Sequence, residues 1–108
     1  MRSAALFAGL ILAAGCSKKP ATNYRNCLKL RVGMTQEQLF QTMGPAEETL
    51  PYIEGKSLPH LKGRTAYEWS TPATMSASNH VSLDDASGKI ESIRCGDAAV
   101  TTSVTTEP

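Results

Sequence analysis

Three cysteines and two histidines are the residues through which this chain could do thiol, metal or acid–base chemistry. Cys16 directly follows Ala14-Gly15 and closes a short apolar run, whereas Cys27 and Cys95 stand apart from it and from each other. His60 and His80 stand at no spacing typical of a zinc site, and nothing around either one sets it up as a general base. There is no Gly-x-Ser-x-Gly turn, no His-Glu-x-x-His helix and no phosphate-cradling glycine loop. Asp84 and Asp85 lack the spacing and the later glutamate of a calcium loop, so they read as turn residues. These patterns point away from an enzyme, and no metal or cofactor is expected.

The amino-terminal residues have the layout of an export signal: a charged start at Arg2, an apolar stretch of about ten residues and a small-residue cleavage site. The apolar stretch is well short of the roughly 18–20 residues that a membrane span needs. With cysteine directly after Ala14-Gly15, the segment resembles the lipobox of bacterial lipoproteins; an ordinary signal with an incidental cysteine is the alternative. The resemblance implies diacylglyceryl transfer to the Cys16 sulfur, cleavage before Cys16 and acylation of the new amino terminus. Residues 1–15 would then be the signal peptide and residues 16–23 a lipidated tether. Ser17, by the same resemblance, favours the outer membrane. Two or more acyl chains make a lasting anchor, and Lys18 and Lys19 can lie against anionic head groups. A tether of about eight residues reaches under about 30 Å, so the domain works close to the membrane.

Behind the signal there is length for one small domain. Residues 96–108 are rich in Thr, Val and Ser without apolar periodicity and read as a disordered tail. The folded part, residues 24–95, is of a size whose thin core usually needs a staple. A net charge of +1 with intermixed signs leaves no footprint for nucleic acid. In an exported protein Cys27 and Cys95 are expected to be bridged; two buried thiols or half a metal site are the alternatives. Closing so long a loop stabilises by roughly 4 kcal/mol in the chain-entropy treatment.

These residues must be positioned by a few short elements. Thr22 or Asn23 can cap a first helix with Tyr24, Cys27 and Leu28 on one face. Gly33 breaks it. Thr35, with Gln38 three positions on, forms a capping box for a second helix, whose buried stripe is Leu39, Phe40 and Met43 and which Gly44 and Pro45 end. The period then changes to two: Tyr67 and Trp69, Val81 and Leu83, and Ile93 and Cys95 each share a face. Asp84 to Lys89 is a hairpin loop with Gly88 as its positive-φ residue. A weak strand over 47–52 precedes a loop punctuated by Pro51, Gly55, Pro59 and Gly63. The expected fold is α+β, two short N-terminal helices packed on a three- or four-stranded antiparallel sheet.

Leu30-Arg31-Val32-Gly33-Met34-Thr35 with Met43-Gly44-Pro45, Tyr67-Glu68-Trp69, and Val81-Ser82-Leu83-Asp84 with Gly88-Lys89-Ile90 together resemble the signature of the SmpA/OmlA, or BamE-like, small outer-membrane lipoproteins. The resemblance covers most of Leu30 to Cys95 and the anchor. It implies a non-enzymatic accessory subunit of outer-membrane β-barrel assembly, contacting other envelope proteins and anionic phospholipid from the periplasmic side. The same two-helix-and-sheet module occurs in inhibitor-like secreted proteins, so an inhibitor-like or ligand-binding module is the second expectation. A scaffold would expose an apolar patch near the anchored end, an inhibitor on the sheet or hairpin tips.

A small domain without catalytic groups acts by contact, and arginine and aromatic side chains carry much of the energy of such contacts. Arg31 and Val32, at the interhelix corner, together with Tyr52 and Ile53 from the following loop, are the expected partner-binding patch. Trp69 is expected in the core.

Overall fold

The computed structural model describes residues 19–102. The expected signal peptide (1–15), the expected lipidation site Cys16 and residues 103–108 of the expected tail lie outside the described residues. Two helices, α1 (Pro20–Cys27) and α2 (Gln36–Met43), precede strands β1 (Glu48–Pro51), β2 (Arg64–Trp69), β3 (Asn79–Asp84), β4 (Lys89–Arg94) and β5 (Thr101–Thr102). The strands form one antiparallel sheet in chain order, β1-β2-β3-β4-β5. The fold is α+β, with both helices contributing to a core on one face of the sheet.

Local chemistry explains each element. The Thr35 hydroxyl accepts from the Gln38 N–H at 3.2 Å and the Gln38 side chain accepts from the Thr35 N–H at 2.9 Å, the reciprocal pair that starts α2. Gly44, at φ 80°, ends the helix with its N–H on the Phe40 carbonyl. Tyr67 and Trp69 on β2, and Asn79, Val81 and Leu83 on β3, alternate inward as the period of two requires. Phe40 meets Tyr67 edge-on at 5.0 Å, and the Trp69 indole donates to the Pro45 carbonyl at 2.9 Å. Trp69, 2 % exposed, is core as expected.

On β4, Ile90 and Ile93 are both buried although an odd spacing separates them. The β3–β4 register shifts between Ser82 and Leu83: Ser82 faces Ser92 while Leu83 faces Ile90, so Glu91 is an extra residue. A β-bulge of this kind restores the inward face and re-aims the inserted side chain. Here it turns the Glu91 carboxylate to Arg64 on β2.

Three expectations are corrected. Helix α1 begins at Pro20 and not at Tyr24, because proline at the first helical position supplies the helical φ without losing a needed N–H. Pro20 to Asn23, expected in the tether 16–23, therefore belong to the helix. Leu28 does not join the buried face; the helix ends at Cys27, and Leu30 (6 % exposed) turns inward while Leu28 stays 56 % exposed. The stretch from Gly96 is structured as far as described: Gly96 is buried, and Thr101 and Thr102 pair with Ile93 and Ser92, giving a fifth strand where a tail was expected.

The two ends of the sheet differ in what they hold. At the first end, α1 crosses from β2 to β4. Asn23 donates to the Glu47 carboxylate and the Ser70 carbonyl, each at 3.1 Å, and Cys27 is joined to Cys95 with Cα atoms 5.7 Å apart. The connection to α2 then runs along the outer edge of β4, with Gly33 N–H on the Ile90 carbonyl and a bridge from Thr35 to Lys89. That brings the α2 start, the Asp84–Lys89 hairpin and the 52–63 loop to the opposite end, which is called the far end below.

Candidate functional site

The face of the sheet turned from the helices carries Leu50 of β1, Arg64, Ala66 and Glu68 of β2, and His80 and Ser82 of β3, as the alternation and register dictate. Two polar side-chain contacts cross it. Arg64 pairs with Glu91, and His80 Nδ1 lies 2.7 Å from the Glu68 carboxylate. No described helix covers this face.

The 52–63 loop is built to stand at its far end. The Lys56 and Ser57 N–H groups donate to the Ile53 carbonyl, and the Ser57 hydroxyl accepts from the Ile53 N–H at 2.8 Å. A 3-10 turn over Pro59–Leu61 closes with Leu61 N–H on the Leu58 carbonyl. Arg64 Nη1 donates to the His60 carbonyl at 2.7 Å, and the Gly63 carbonyl accepts from the Asp85 N–H of the hairpin. The loop thus satisfies its own backbone while leaving large apolar side chains in solvent. Leu50, Ile53, Leu58 and Leu61 are 40–60 % exposed and are four of the six large exposed apolar residues among those described. That concentration marks the loop as the most apolar accessible surface of the domain.

Three depressions follow. A cavity of about 390 Å³ lies between the loop and the sheet, walled by Leu50, Tyr52, Ile53 and Leu61 and floored by Ala66, His80 and Ser82. A broader one of about 740 Å³ continues over the far half of the face past Arg64 and Glu91 to Val32. A third, of about 540 Å³, is a groove at the β5 edge lined by Leu30, Arg31, Val32, Ala98 and Ala99.

The expected patch is therefore divided. Arg31 and Val32 line the β5-edge groove, and Tyr52 and Ile53 line the loop cavity. The reason is topological: the segment after α1 follows β4's outer edge, while the chain leaving β1 turns away on the opposite edge of the sheet. Arg31 is exposed at its corner and Val32 half-buried. Leu50, Leu58, Leu61, His80 and Ser82 were absent from the sequence-derived set. The signal for Leu58 and Leu61 was a cluster of large apolar residues in a Pro/Gly-rich stretch that fits neither a helical nor a strand period, and that for His80 and Ser82 was only their place on the outward face of an alternating strand.

Two carboxylates at the ends of the domain are held below the ordinary range. Asp84 is lowered chiefly by the Ser87 N–H, 2.9 Å away, closing the hairpin turn. Asp97 is lowered chiefly by the Ser76 N–H, with the Ser76 hydroxyl and the Ala77 N–H adding to it, and so clasps the 70–78 loop. Among the described residues no group of three or more His, Cys, Asp or Glu side chains is placed to hold a metal ion. No described helix is long and apolar enough to cross a membrane. Comparison of the chain with protein-family models, with curated proteins and with solved structures finds no match.

Proposed function

We propose that this chain is a membrane-anchored, non-enzymatic lipoprotein of the bacterial envelope. In this reading it is held on the outer membrane through a diacylglyceryl and N-acylated Cys16, with its domain facing the periplasm. It acts as an accessory or scaffold subunit in β-barrel assembly or envelope integrity, through contacts with envelope proteins and without nucleic acid or cofactor. The observation that carries the reading is the start of α1 at Pro20. Only Ser17, Lys18 and Lys19 separate it from Cys16, a reach of at most about 14 Å. A domain so closely leashed works by touching what lies at the membrane surface. The BamE-like signature and the two helices on an antiparallel sheet agree with it.

One observation favours the second reading, an inhibitor-like or ligand-binding module. The exposed apolar cluster lies at the far end of the sheet, about 20 Å along β2 from the residues that meet α1, and not beside the anchor. In-cell photocrosslinking from Arg31 and from Leu58 separates the two. Capture of membrane assembly proteins supports the scaffold; capture of one soluble periplasmic protein, from Leu58 alone, supports the module. For the anchor itself, Cys16→Ser is expected to remain unprocessed or become soluble. Retention of a Cys16→Ser protein on the membrane at full mature size would overturn it.

A further inference from the structure

The charges that mix over the whole chain separate between the two sides of the fold. The helical layer, residues 19–43, holds four basic residues, Lys19, Arg25, Lys29 and Arg31, and one acidic residue, Glu37; residues 44–102 hold five basic and eight acidic ones. All four bases are exposed, and none is paired with a carboxylate among the described residues. Arg25 and Leu28 stand on the side of α1 opposite the buried Asn23 and Cys27, and Lys29 follows in the turn that ends the helix. The carboxylates at this end are already engaged, Glu47 by Asn23 and Ser70, and Asp97 by Ser76 and Ala77. Leu28 and Val100, each 56 % exposed, are the large exposed apolar residues among those described that lie outside β1 and the 52–63 loop. Leu28 lines the β5-edge groove with Ala98 and Ala99, next to Val100 in the chain.

A mixed basic and apolar face suits the head-group boundary of an anionic bilayer: the bases draw on the surface potential while an apolar side chain enters beneath them. The leash decides for a bilayer over an acidic protein. Pro20 stays within about 14 Å of Cys16, and α1, eight residues long, spans only about 12 Å, so its bases cannot leave the membrane's neighbourhood. We infer that the domain lies with the outer side of α1 on an anionic phospholipid bilayer. The sheet then stands between the membrane and the cavity under the 52–63 loop, whose floor of Ala66, His80 and Ser82 is on the face turned from the helices. The cavity opens toward the periplasm. This orientation goes beyond the function proposed above and rests on it for the leash.

The test is amide relaxation mapping by NMR on the full protein as isolated, in nanodiscs carrying a gadolinium-chelating lipid. The discs are of phosphatidylcholine alone or of phosphatidylcholine with phosphatidylglycerol. In the anionic discs, enhancement at Arg25, Leu28 and Lys29 is expected to exceed that at Ala66, His80 and Ser82 several-fold. The ratio of oriented to free domain is expected to fall about fivefold for each base lost. The contrast should therefore collapse in Arg25→Glu with Lys29→Glu, in neutral discs and in high salt, with the melting temperature of the double variant unchanged. Enhancement greatest at Leu58 and Leu61, equal on both faces in anionic discs, or unmoved by the double substitution would each overturn it. Intact mass reads the anchor separately. If Cys16 carries no acyl mass the leash fails, and sedimentation with vesicles of the two compositions tests the face alone. Preference for the anionic vesicles, lost in the double variant, is then expected; no such preference would overturn it.

Discussion

The two ends of this small sheet are built on opposite plans. Around α1 the chain is tied down several times over: the Cys27–Cys95 bond, the Asn23 amide on Glu47 and Ser70, the Asp97 carboxylate on the 70–78 loop, and Gly96 pressed against Tyr24 and Met75. At the far end, the 52–63 loop is equally well hydrogen-bonded, yet its bonds run within itself and to the hairpin while its apolar side chains face water. Both ends are ordered; only one is closed. Order that does not bury apolar area contributes little to stability, since burial is the dominant favourable contribution to folding. The disulfide-tied α1 end is therefore expected to add more to stability than the 52–63 loop, which leaves its apolar side chains exposed.

The largest test of that division is the disulfide. Cys27→Ala with Cys95→Ala is expected to cost about 4 kcal/mol, a fall in melting temperature of about 15–30 °C, measured by thermal denaturation. An effect below about 1 kcal/mol would remove the α1 end's special standing. Next is a paired glycine test. Gly96 has φ +59°, and a Cβ there would come 2.5 Å from the Met75 sulfur, whereas Gly55, at φ +85°, has nothing within 4 Å. Alanine at either position meets about 1–2 kcal/mol of left-handed strain; Gly96→Ala is expected to exceed Gly55→Ala because the methionine must also move. Equal costs in urea titrations would blur the contrast between the ends.

Acid sharpens it further. The Asp97 carboxyl titrates lower in the folded chain than its ordinary value of 3.8, so its stabilisation is complete above that value and is lost as the pH falls through the lower folded one. Urea midpoints are expected to drop below about pH 4, and less steeply in Asp97→Asn. The smallest effect belongs to the loop: Leu58→Ser is expected to stay within about 0.5 kcal/mol of the parent in the same assay, while reducing partner capture in the crosslinking experiment. A large destabilisation would mean that Leu58 is core after all.

Much of the fold was legible because local signals agreed with it. The Thr35–Gln38 box, Gly44-Pro45 and the alternation through Tyr67-Glu68-Trp69 each name an element without reference to the rest of the chain. The bulge at Glu91 was not legible, since a single inserted residue leaves Ile90 and Ile93 out of phase with any simple period. Nor was β5: two threonines acquire a strand conformation only because β4 offers them an edge. The same limit governs the candidate site. The Cys27–Cys95 pair could be expected from the resemblance of residues 1–15 to an export signal, but the separation of Arg31 and Val32 from Tyr52 and Ile53 depends on which edge of the sheet each segment follows, and no local pattern encodes that.

The disulfide partners lie 68 residues apart, and β4 has its outer edge filled by residues from both early and late in the domain, Gly33–Thr35 and Thr101–Thr102. Helix α1 can pack on α2 and β3 earlier, but its covalent fastening waits for Cys95, and contacts this distant in sequence form slowly. In the exported chain proposed above, the bond that fastens α1 would close only after the residues up to Cys95 have come through.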